Sequence, residues 1–172
     1  GRNANSTFGV HYAYLDYKFV DAASLLFGQF KVPLSRVSLS SSSKQLLVER
    51  PASTEDGKKL FGDYDQTELM LHGKVADGIF NYMLAVADGN DNNQAGTGLV
   101  NPEGDPAYIG RLEFSLPGWT EKSKSDAHLG NGKHMTFGVH AGTQQDLKAF
   151  GSAVQTDRKL RGADFSMHIG GF

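Results

Sequence analysis

Apolar and polar residues alternate with a period of two in seven stretches of the chain, residues 9–19, 24–32, 67–75, 79–88, 108–116, 134–142 and 162–169. In the first, Tyr12, Tyr14, Asp16 and Lys18 share one face, while Ala13, Leu15, Tyr17 and Phe19 share the other. Only an extended strand makes use of that period. The connections sort by length. Residues 20–23 and 76–78 read as tight turns, the second carrying the Asp77-Gly78 pair that supplies positive φ in a hairpin. Residues 33–66, 89–107 and 143–161 are long and polar, and they fall on the opposite side. Residues 117–133 break the pattern, because they are long yet lie on the side of the turns.

The seven patterns predict two faces of different chemistry. The apolar face is expected to hold Ala13, Leu15, Tyr17, Phe19, Leu26, Phe30, Val32, Leu69, Leu71, Val75, Phe80, Tyr82, Leu84, Val86, Leu112, Phe114, Met135, Phe137, Val139, Phe165, Met167 and Ile169. None is charged, whereas Lys or Arg at the middle of a bilayer costs about 2 to 4 kcal/mol. The polar face is expected to hold Asp16, Lys18, Gln29, Lys31, Glu68, His72, Lys74, Asn81, Arg111, Glu113, His134, Thr136, His140, Asp164, Ser166 and His168. With short turns on one side and long loops on the other, the pattern predicts an all-β chain, an antiparallel transmembrane β-barrel with a wet lumen. An odd number of up-and-down strands does not close, so residues 1–172 are expected to form one partial domain of a larger barrel. A soluble β-sandwich binding module would show a similar alternation and is the alternative fold.

Composition changes this picture only slightly. The chain of 172 residues has 21 glycines, no cysteine and a formal net charge of -2, which argues against a nucleic-acid partner. No run approaches the roughly 18 apolar residues of a membrane helix, and the negative mean hydropathy is uninformative for barrel strands, half of whose residues are polar. The chain opens at Gly1 without an initiator Met, as a processed or partial sequence would. His134 and His140 lie on one strand face but are about 20 Å apart, too far to share a metal ion. They read as lumen groups that gain charge below about pH 6.5. Asn90, Asp91, Asn92 and Asn93 resemble the start of a calcium-binding turn but lack the spacing of an EF-hand. No nucleophile and base can be paired, so neither an enzyme nor a cofactor is expected.

Several phrases together resemble the phosphate-selective porin O and P family. They are YLDYKFVDAASLLFGQFKVPLSR from Tyr14, LLVERP from Leu46, LMLHGKVADGIFNYMLAVADGN from Leu69, YIGRLEFSLPGW from Tyr108 and KLRGADFSMHIGGF from Lys159. The resemblance implies a water-filled barrel of sixteen strands in the bacterial outer membrane, trimeric, with a long loop folded inward to narrow the pore. By position, that constriction loop carries Arg36, Lys44, Glu49, Arg50, Lys58 and Lys59. The pore-lining set is Lys18, Lys31, Glu68, His72, Lys74, Arg111, Glu113, His140, Asp164 and His168. Ser38, Ser40, Ser41, Ser42 and Ser43 read as flexible loop. In the family, basic lumen residues favour anions. Here acidic residues stand among them, and no dense run of arginines offers phosphate a ladder of bidentate contacts. The expected partners are the lipid bilayer, small hydrophilic solutes or anions, and two further copies in a homotrimer. The expected function is passive diffusion with a mild anion preference or little preference. A barrel serving as a sleeve for another protein is the rival.

Overall fold

The computed structural model describes residues 12–41, 44–45, 65–89, 99–121, 124, 132–149 and 154–169. The elements are β1 (Ala13–Val20), β2 (Ala23–Lys31), α1 (Arg36–Leu39), β3 (Asp65–Val75), β4 (Phe80–Ala87), β5 (Leu99–Val100), β6 (Ala107–Ser115), β7 (His134–Ala149) and β8 (Gln155–His168). All the strands belong to one antiparallel sheet in the order β1-β2-β3-β4-β6-β7, with β8 and the two-residue β5 both paired to β7. The seven long strands are those the alternation predicts. A sandwich needs a second sheet packed on the first, and the described strands make a single one.

Cross-strand register turns the alternation into continuous rows. One row runs Tyr17, Leu25, Leu71, Leu84, Gly110, Ala141, Arg161, and another Val75, Phe80, Phe114, Phe137, Phe165. Leu15, Phe27, Leu84, Phe137 and Phe165 all stand exposed on this face. So large an apolar surface is a liability in water and the natural one against hydrocarbon. The turn-side ends drift steadily along the rows. β2 begins at Ala23, two residues from Leu25, while β3 ends at Val75, four beyond Leu71. β6 ends at Ser115, five beyond Gly110, and β8 at His168, seven beyond Arg161. That drift is the stagger of tilted strands.

Three expectations are corrected. Leu26, Phe30 and Val32 do not face lipid. Register places Phe27 opposite Leu15 and Leu69, so Leu25 and Phe27 point outward while Leu26 and Phe30 point to the polar face, where Val32 is also buried. The run Leu25-Leu26-Phe27 is apolar on both faces, and alternation alone cannot choose between them. By the same parity, Gln29 and Lys31 leave the polar set. Third, residues 143–161 are not one loop. β7 continues to Ala149 and β8 starts at Gln155, with an irregularity between Gln144 and Leu147 around the positive φ of Asp146. Once the hairpin leaves hydrocarbon, its side chains lose their two-face pattern while its backbone pairing persists. The turn at 76–78 is as predicted, with positive φ at Ala76, Asp77 and Gly78.

Leu71 and His72 are neighbours on opposite faces, and a single substitution at each separates the faces. Leu71→Arg is expected to cost about 2 to 4 kcal/mol of barrel stability, with His72→Arg costing under about 1. Urea-unfolding midpoints in bilayers check this, and equal costs would reject the assignment.

Candidate pore wall and docked segment

After β2 the chain turns back over the polar face of its own sheet. Val32, Pro33 and Leu34 are buried, and Val32 and Leu34 pack into a cluster with Leu26, Phe30, Met70, Ala85, Ala87, Ala107 and Ile109. The alanines leave the wall shallow there, so the segment can seat on it. Each buried Leu, Val or Phe contributes about 1.5 to 3 kcal/mol to that docking. Ser35 then caps α1: its hydroxyl accepts from the Ser38 backbone N–H at 3.1 Å, and its own N–H donates to the Ser38 hydroxyl at 2.8 Å. Ser40 donates from its hydroxyl to the Arg36 carbonyl at 3.0 Å. These serines hold the segment's shape. Ser42 and Ser43 lie outside the described residues.

Ion pairs fix the segment sideways. Arg111 on β6, its side chain fully buried, donates two 2.7 Å hydrogen bonds to the Asp164 carboxylate on β8 and one of 2.8 Å to Glu113. The same carboxylate accepts the backbone N–H of Arg36 at 3.1 Å. Arg36 reaches on with its guanidinium to Glu121 at 2.6 Å and 3.3 Å, and Lys124 donates to Glu113 at 2.9 Å. Three cations, Arg36, Arg111 and Lys124, thus meet three carboxylates, Glu113, Glu121 and Asp164. Beside them His134 pairs with the Ser166 hydroxyl at 2.6 Å and stacks on His168 at 6.1 Å.

Two glycines make room for these side chains. Arg111 on β6 reaches Asp164 on β8 only by crossing β7, and it crosses at Gly138, where a Cβ would stand 2.4 Å from its guanidinium. His140 lies over β8 at Gly162, where a Cβ would stand 2.4 Å from its ring. Any other residue at 138 would push the arginine off the wall.

The remaining predicted residues divide. Glu113, Arg111, Asp164 and His140 come together in this network, with His140 3.5 Å from the Arg111 guanidinium. Glu68 is buried on the same face. His72 reaches Asp16 at 3.2 Å. Lys74 is exposed at the turn end, where Lys18 pairs with Asp21 and its hydrogen bond lowers the Asp21 pKa from the ordinary value. Lys31 is corrected as a wall residue: it stands at the strand end and its ammonium donates to the Ser40 carbonyl at 2.6 Å. Lys44 follows the docked segment, its N–H bonded to the Ser41 carbonyl. Glu49, Arg50, Lys58, Lys59 and residues 90–93 lie outside the described residues, as do residues 9–11 of the first predicted strand. Sequence reasoning missed Glu121 and Lys124. They sit in the long turn-side connection, whose poor fit to the loop pattern was the one available signal.

A family model described as phosphate-selective porin O and P matches residues 1–104. A protein of Aquifex aeolicus (strain VF5), described as an uncharacterized protein, is 52% identical over 125 residues, covering 70% of this chain and 30% of its own length. The chain therefore spans less than two thirds of the relative it matches. No solved structure matches.

The buried Arg111 sets the stability test. Asp164→Ala is expected to cost about 3 to 5 kcal/mol, because removing one partner leaves a buried charge poorly compensated. Replacing both partners, Arg111→Met with Asp164→Leu, is expected to cost less than that single change. Equilibrium unfolding in detergent of the unaltered protein, Arg111→Met, Asp164→Leu and their double variant checks it, and additive costs would contradict the pairing.

Proposed function

Because the chain belongs to the phosphate-selective porin O and P family, whose members are bacterial outer-membrane proteins and not enzymes, we propose that it forms part of the wall and the narrowing of a pore. Small hydrophilic solutes diffuse passively through it, and three copies assemble. The observation that supports this reading most is the docked segment. Residues 32–40 lie across the polar face, seated on an apolar patch and tied by Arg36 to Asp164 and Glu121. A segment held at both its apolar and its charged side keeps a constant bore.

Charge preference follows from the same pairs. The family description names phosphate, yet Arg111 and Arg36 both spend their guanidinium donors on carboxylates. A fixed charge already neutralised at 2.7 Å contributes little field to a passing ion. Mild anion preference, or almost none, fits this wall better than phosphate specificity, and inorganic anions pass among other small solutes.

The test is single-channel recording of the full-length protein in planar bilayers under a salt gradient. Stable open channels with a small anion-directed or near-zero reversal potential are expected. Arg36→Ala should raise conductance and current noise by releasing the segment from Glu121. A folded barrel that passes no current would favour the sleeve reading, and an unchanged Arg36→Ala conductance would contradict the role of the segment.

A further inference from the structure

The outward face is not uniformly apolar: towards the long loops it carries Gln29 and Lys31 on β2, and a second polar group on β8. On β8 Lys159 and Arg161 share the outward parity with Ala163, Phe165 and Met167. Both cations are exposed, Lys159 standing 3.8 Å from Asp157. A cation on this face is costly at mid-bilayer and nearly free at the interface. The stagger resolves the position. Arg161 shares a row with Leu71, which lies mid-strand, but β8 ends seven residues beyond that row where β3 ends four beyond. Arg161 is therefore nearer the long-loop surface than Leu71, at headgroup level. Long loops mark the external side, so the two cations meet the outer leaflet.

Directly against them lies a groove of about 650 Å³, walled by Leu84 and Tyr108, floored by Gly110 and Ala141, and rimmed by Lys159 and Arg161. Gly110 and Ala141 are register partners, so the floor lacks bulk on two adjacent strands at once. The row nearer the turns is filled instead by four phenylalanines, Phe80, Phe114, Phe137 and Phe165. An apolar trough ending in two cations about 7 Å apart along one strand has the polarity of an acyl chain joined to a phosphate.

We propose that this groove binds a phosphorylated, acylated lipid of the outer leaflet, one acyl chain on Gly110 and Ala141 and a phosphate between Lys159 and Arg161. Tyr108, exposed at the same level, borders the headgroup as interfacial aromatics do. The site faces away from the pore wall, so it stands whether or not the channel conducts.

The experiment is native mass spectrometry of the full-length protein in a non-ionic detergent, titrated with diphosphoryl lipid A and with the phosphate-free disaccharide bearing the same acyl chains. Diphosphoryl lipid A should bind at least about tenfold more tightly, since each cation at the surface favours an anionic lipid by roughly fivefold. The Lys159→Ala, Arg161→Ala double variant should lose that preference while still binding acyl chains. Ala141→Trp, which fills the trough and suits the lipid face, should lose both. Equal binding of the two lipids by the unaltered protein would overturn the proposal. So would unaltered lipid binding in both variants, or variants that change only the oligomeric state, which would make the groove a contact between copies.

Discussion

Every strand of this chain must satisfy two solvents at once. In hydrocarbon no backbone N–H or C=O can be left to water, so strands pair edge to edge, as β2, β3, β4, β6 and β7 each do on both sides. Pairing in turn fixes side chains alternately outward and inward. The apolar rows from Tyr17 to Ala141 and from Val75 to Phe165 follow from that requirement. So does the opposite face, which collects Glu68, His72, Arg111, Glu113, His134, His140 and Asp164.

A face rich in charge and shielded by a docked segment creates a second requirement. Arg111 is fully buried, and such a cation persists only when carboxylates surround it. Asp164 and Glu113 do so, and Asp164 also receives the backbone of Arg36. The ion pair that relieves Arg111 thus positions the segment as well. Gly138 is the geometric condition for this arrangement, since it lets one guanidinium span three strands. Sheet rigidity and the placement of the docked segment share one set of residues.

How much of this was legible depended on which solvent a residue faces. The seven strands could be read because lipid and water on opposite faces impose a period of two. Leu25, Leu26 and Phe27 defeated that reading because the docked segment supplies an apolar surface inside as well as outside. The β7–β8 extension was invisible because beyond the bilayer no hydrocarbon selects its side chains. Arg111, Glu113 and Asp164 were found as polar-face residues, but their convergence depends on register, which places Gly138 between Glu113 and Asp164. Glu121 and Lys124 lie in irregular chain with no periodicity to read.

The polar face of the sheet is covered by a docked segment at one place and wet at another. These 172 residues hold no cysteine, so a cysteine introduced here is unique within them, and positions 69 to 72 of β3 sample all the environments. Introduced one at a time into the full-length protein in bilayers, spin labels at Leu69 and Leu71 should relax with oxygen dissolved in lipid. A label at His72 should relax with an aqueous reagent, and one at Met70, which is buried under the segment, with neither. Equal aqueous access at 70 and 72 would remove the docked segment from the wall, and loss of the alternation would remove the two-faced sheet itself.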